Sequence, residues 1–124
     1  PREASDAEAF ERTAKMIFIR MEAANDAGQV EDLRKFTTPE LFASLRVDLH
    51  DRGAKAQQTD VLQLNAQVLE TAQQDGQWVV TVRFNGLIRE ETEAGGESFD
   101  ELWHFVKPED GSREWAIAGI HQNA

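Results

Sequence analysis

The chain has 124 residues, 40% hydrophobic and 29% charged, the proportions of one globular domain. Thirteen basic against 23 acidic residues leave a net charge of −10. That excludes the basic stripe needed to neutralise nucleic-acid phosphates and disfavours unaided docking on anionic lipid. The absence of cysteine and tyrosine removes thiol nucleophiles, disulfides, cysteine-ligated zinc and tyrosine acids.

The first half reads as helix. Phe10, Ala14, Ile17, Met21 and Ala24 recur at spacings of four and three, so Ser5 to Ala27 is expected to present one apolar face, broadened by Phe18. Ser5 and Glu8 fit a capping box, and Gly28 is the stop. A short helix carrying Leu33 is expected over 30–36. Thr38-Pro39-Glu40 then opens a third, with Leu41, Phe42, Leu45 and Leu49 inward and Gly53 at its end. Residues 54–58 form a polar connector.

The second half changes period. Leu62, Leu64, Ala66 and Val68 alternate with polar residues over 59–72, and Asp75-Gly76 makes a hairpin turn. Trp78, Val80, Val82 and Phe84 share one side of a strand over 77–91. Asn85-Gly86 could break that strand, but Leu87-Ile88 continue the apolar pattern, so a bent strand with Gly86 at a bulge is expected. Turns at 93–96 and 108–112 set off strands at 98–107 and 114–122. The expected fold class is α+β: three helices on a curved four-stranded antiparallel meander, in one domain spanning 1–124.

Chemistry-bearing motifs are sparse. His50, His104 and His121 lack metal-ligand spacing, and no phosphate-binding glycine pattern occurs. Asp48 and Asp51 share a helix face from which His50 turns away. No metal, cofactor or catalytic residue is therefore assigned. Glu101 stands out because it lies between Phe99 and Trp103 on one strand face. If Trp103 pairs with Ile117, Glu101 falls opposite Gly119 and within reach of His121. It is then either a rim carboxylate, reaching solvent or Arg83 or Arg113, or a buried acid–base group. Phe99, Trp103, Phe105, Trp115 and Ile117 are expected to form a pocket wall or core with Glu101 and His121 at its rim. The opposite face carries Leu102 and Val106, to which Ala116, Ala118 and Ile120 are expected to add. A second copy or a partner protein is expected to cover that face.

The stretch Ala24-Asn25-Asp26 through Leu33 to Phe36-Thr37-Thr38-Pro39-Glu40-Leu41 resembles a Tim44-like domain. So does Glu101-x-Trp103-x-Phe105 followed by Trp115-x-Ile117 and Ile120, which is similar to that family's closing hairpin. The resemblance implies the cone-shaped fold shared with nuclear transport factor two and ketosteroid isomerase. It also implies a tethering role, as in the mitochondrial relative that holds an import-motor chaperone at the inner-membrane translocase, and no catalytic residue. Bacterial members carry a membrane segment ahead of the domain. The chain begins at Pro1 without methionine or leader, and it is expected to be the C-terminal part of such an anchored protein, inner-membrane associated and facing the cytoplasm. Its expected role is non-catalytic, binding a protein or an apolar small molecule; the alternative is a cone-fold enzyme or ligand-binding protein using Glu101 as acid or base. The mitochondrial domain's link to cardiolipin-rich membrane does not transfer readily, because the first helix here is acidic. Nucleic acid is not an expected partner, and membrane contact is expected only through the missing segment.

Overall fold

A computed structural model describes the backbone over residues 2–51, 58–90 and 95–123 and side chains from Asp6 onward. Three helices come first: α1 (Arg2–Ala27), α2 (Val30–Phe36) and α3 (Pro39–Asp51). Four strands follow: β1 (Thr59–Gln74), β2 (Gln77–Glu90), β3 (Glu97–Pro108) and β4 (Ala116–Gln122). They pair antiparallel in chain order, so β1 and β4 are the sheet edges. The three-helix, four-strand α+β plan read from the sequence is the plan observed.

The α1 stripe packs as its spacing requires. Ala14, Ile17, Phe18, Met21 and Ala24 are buried against Val82, Phe84, Trp103 and Phe105. Phe18 sits at the centre, with its ring 4.8 Å from Phe84 and 4.9 Å from Trp103. Phe10 closes one end against Phe105 and Trp115. Helix α1 already runs at Ser5, so Ser5 lies inside the helix and not at its cap. Gly28, at φ 68°, ends it as expected, since a left-handed residue there carries no Cβ penalty. The chain between α2 and α3 is tied to the sheet: Thr38 N–H donates to the Ile117 carbonyl at 2.9 Å, and buried Thr37 donates its hydroxyl to Leu33 O at 2.7 Å. These bonds hold α3 over the β4 end of the sheet. Gly53, residues 54–57 and the first two residues of the 93–96 turn lie outside the described residues.

Strand β2 runs unbroken through Asn85-Gly86. Gly86 has φ 156°, and a Cβ on it would lie 1.9 Å from the Gln63 carbonyl oxygen, so only glycine fits. The irregularity sits across from it, on β1, where Val61 pairs with Ile88 but Gln63 with Leu87. That extra residue is Leu62. It is pushed out to 46% exposure, whereas the alternation had placed it inward with Leu64, Ala66 and Val68. Trp78 also departs from its expected inner position. It lies at the far end of β2, 41% exposed, beside Trp115 and Lys107.

Candidate functional site

The aromatic residues singled out from the sequence are mostly core. Trp103, Phe105 and Ile117 are buried, while Phe99 stacks on Phe18 at 5.6 Å and Trp115 meets Phe10 at 4.9 Å. Three of these five border concavities: Phe99 and Trp115 line open surface grooves, and Trp103 reaches between the helices and the sheet. Trp103 does so with Ile120, in a pocket of about 240 Å³ bounded by α1 (Met21, Glu22, Asn25), α2 (Leu33) and α3 (Leu45, Asp48, Leu49).

The register of the last hairpin corrects four expectations. Trp103 pairs with Ile120 and not with Ile117, which pairs with Phe105. The slip leaves Ala118 as an extra residue, because His104 faces Gly119 while Phe105 faces Ile117. Ile120 therefore turns inward and packs on the core instead of joining the Leu102 face. Glu101 faces Gln122, not Gly119. His121 leaves the Glu101 rim for the outer face, where its ring lies 5.0 Å from that of His104.

The outer face is also less apolar than expected. Val106 and Ala116 are buried and Leu102 half-buried; Ala118 is exposed but small. Between them stand a bidentate Arg83–Asp100 pair, with bonds of 3.0 and 2.6 Å, and a Thr81–His104 hydrogen bond of 3.0 Å. Burial and the neighbouring His121 push the His104 pKa below its ordinary value, partly offset by Glu70.

Glu101 has no basic partner among the described residues. It accepts from the Trp103 indole N–H at 3.0 Å and from the Gln122 side-chain amide at 3.1 Å. Arg83 is spent on Asp100, and the Arg113 guanidinium donates to the Thr37 carbonyl. Both oxygens of Glu101 thus orient groups of its own sheet, the arrangement of a structural carboxylate.

The perturbed acid is Glu22, which the sequence reading passed over. Its pKa is raised from 4.5 to about 7, first by burial, then by the charges of Glu101 and Asp26. The available signal was its position one helical turn after Phe18, on the margin of the α1 stripe, where the face changes from apolar to Glu22, Asn25 and Asp26. Its proximity to Glu101 depends on which strand passes beneath α1, and helical spacing does not carry that.

Glu22 also borders a second, larger concavity. An open groove of about 710 Å³ runs between α1 and the first half of β1. Ile19, 51% exposed, and the bulged Leu62 form its apolar walls, with Ala23 and Leu64. Among the described residues its lining holds three acids, Glu22, Asp26 and Asp60, of which Asp60 pairs with Arg89 at 3.2 Å and Asp26 accepts from Thr59. Among the described residues no group of three or more His, Asp or Glu is placed to hold a metal ion. No helix among them is long and apolar enough to cross a membrane.

The family model for the Tim44-like domain matches residues 3–122, nearly the whole chain, and the chain belongs to that family. Domains of this family are membrane-associated, serve protein interaction and transport, and are generally non-catalytic. No curated protein matches the chain.

Proposed function

We propose that this Tim44-like domain is a non-catalytic protein-interaction module of an inner-membrane-associated bacterial protein, and that it engages its partner through the groove between α1 and β1. The observation that carries this reading is where apolar surface is left over. The interior is filled by Phe18, Phe84, Trp103 and Phe105, and the enclosed pocket of about 240 Å³ is below the roughly 300 Å³ at which small-molecule sites begin. Ile19 and Leu62 instead present large side chains to one open concavity. An upstream segment would hold the domain at the membrane, since a chain of charge −10 has little attraction of its own for anionic lipid. The reading places the domain on the cytoplasmic side, in protein transport.

Photo-crosslinking in cells tests this. A photoreactive residue at Leu62 of the full-length protein should trap a discrete protein, and the same residue at exposed Val47 on α3 should not. Adducts only with lipid, or equal trapping at both positions, would overturn the reading.

A second reading, a cone-fold enzyme, keeps one supporting observation. A carboxyl titrating near 7 beside an apolar pocket is suited to general acid–base work. That role would belong to Glu22, because both oxygens of Glu101 already accept hydrogen bonds from Trp103 and Gln122.

A further inference from the structure

The longest strand of the domain is also an edge. Strand β1 has β2 on one side only, so alternate N–H and C=O groups point away from the sheet. Helix α1 closes that edge at two points with carboxylates. Val68 N–H donates to Glu11 Oε2 at 2.9 Å, and Thr59 N–H donates to Asp26 Oδ2 at 2.7 Å, with the Thr59 hydroxyl on Asp26 Oδ1 at 3.0 Å. The first of these bonds fixes the direction of the residues between. Val68 directs its N–H away from β2, and the register is uninterrupted from Gln63 to Val68. Antiparallel alternation then directs the N–H and C=O of Ala66 and Leu64 to the same outer edge. Among the described residues, no side-chain hydrogen bond reaches either backbone.

This stretch of edge adjoins the α1–β1 groove, which Leu64 lines. The groove offers what an added strand uses: outward backbone donors and acceptors, apolar walls at Ile19 and Leu62, and the Glu22 carboxyl at its border. We propose that an extended segment of a protein partner, carrying basic and apolar residues on the same strand face, adds to β1 beside Leu62–Ala66 as a fifth strand, with apolar side chains on Ile19 and Leu62 and a basic side chain on Glu22. A stretch of about five residues, roughly 17 Å, spans this part of the edge. Charge complementarity selects the partner: the chain carries a net charge of −10, and among the described residues Glu22 is a lining acid without the ion pair that Asp60 makes with Arg89. The inference rests on the groove being the partner site and adds how the partner is held. The elevated proton affinity of Glu22 agrees with it, since an arriving cation would ionise this carboxyl and release a proton.

The probe is an acetylated and amidated octapeptide of lysine and valine in which each strand face carries both residue types, titrated into the isotopically labelled chain near pH 7. It should bind, and amide exchange at Leu64 and Ala66 should slow by about tenfold or more. The same peptide N-methylated throughout keeps its charge and side chains but loses its donors, and it should bind at least about tenfold more weakly. A glutamate–valine octapeptide should not bind. Equal binding of the N-methylated peptide, or unchanged exchange at Leu64 and Ala66, would overturn strand addition. Failure of the lysine peptide to bind, or equal binding of the glutamate peptide, would overturn the basic partner. The paired variant Ile19→Lys and Leu62→Lys separates this failure from that of the groove itself. If the lysine peptide binds that variant unchanged, and the Leu62 crosslink is also missing in cells, the groove is not the partner site. If the crosslink forms while the peptide arms fail, the groove stands and strand addition falls.

Discussion

Glu22 gives the sharpest test of the structure. Its carboxyl titrates at about 7 in the folded chain against an ordinary 4.5. Between those values the folded state holds a proton that the unfolded state has lost. Stability linked to this group is therefore complete below about pH 4.5 and falls as pH rises through 7. At about 1.4 kcal/mol per pH unit, the difference sets an upper value of about 3 kcal/mol lost by pH 8. Glu22→Gln removes the titration and keeps the shape, and its amide can donate toward the acids that now repel the carboxylate. The variant is expected to match the parent chain near pH 4.5 and to exceed it by about 2–3 kcal/mol at pH 8. For a chain of this length that is a rise in Tm of about 10 °C. Thermal unfolding at several pH values, followed by circular dichroism, reads the effect. Glu101→Gln is the second arm: removing the nearest charge should lower the Glu22 midpoint while changing stability by no more than about 1 kcal/mol. A variant-to-parent difference in Tm that is the same at pH 4.5 and pH 8 would refute the assignment of burial and like charge to Glu22.

Trp103→Ala should cost about 3–5 kcal/mol in urea unfolding, because a fully enclosed indole in contact with Phe18 and Phe84 leaves a cavity that the sheet cannot collapse. Gly86→Ala places a methyl on the Gln63 carbonyl and is expected to lose at least about 3 kcal/mol or to shift the β1–β2 register, visible as changed cross-strand NOEs around Leu64. On the outer face, the lowered pKa of His104 means that stability linked to it is lost as pH falls below the ordinary histidine value of 6.5. His121→Asn should raise the His104 midpoint in an NMR titration, since His121 is the second cause of that shift after burial.

The elements were legible because their periods differ: 3.6 over Phe10 to Ala24, then two from Leu62 onward. Even the unbroken passage of β2 through Asn85-Gly86 followed from Leu87 and Ile88. What the pattern could not carry was the three single-residue insertions, at Leu62, Leu69 and Ala118. One extra residue at Leu62 exposes a side chain that strict alternation had placed inward, and one at Ala118 exchanges the faces of Ile120 and His121 relative to Ile117. All three fall among ordinary strand residues, and a local glycine marks two of them, Gly86 across the ladder near Leu62 and Gly119 beside Ala118. The site was misread for the same reason. Glu101 was placed opposite an empty glycine, when the observed register gives it Gln122. Glu22 was passed over, when Glu101 comes to lie close enough to raise its pKa.

Helix α1 therefore does two jobs with different residues, and the division between them bears on function. Its inward stripe builds the core, while Glu11 and Asp26 reach sideways to occupy the amides of an edge strand. Covering an edge with charge is how a sheet avoids pairing with other chains. A chain shaped for solubility alone would continue that pattern along the whole helix. Between the two carboxylates, however, α1 presents Ile19 and Ala23, and the facing bulge pushes out Leu62 beside Gln63. The edge is guarded at its ends and apolar between them, and Glu22 at the border is the acid whose charge the fold disfavours most. That combination repels a second copy of this acidic chain and suits a basic one. If Ile19→Lys and Leu62→Lys leave folding intact and abolish partner capture at the membrane, the gap in the guard is the binding site; if capture persists, α1 is only a core helix with two edge caps.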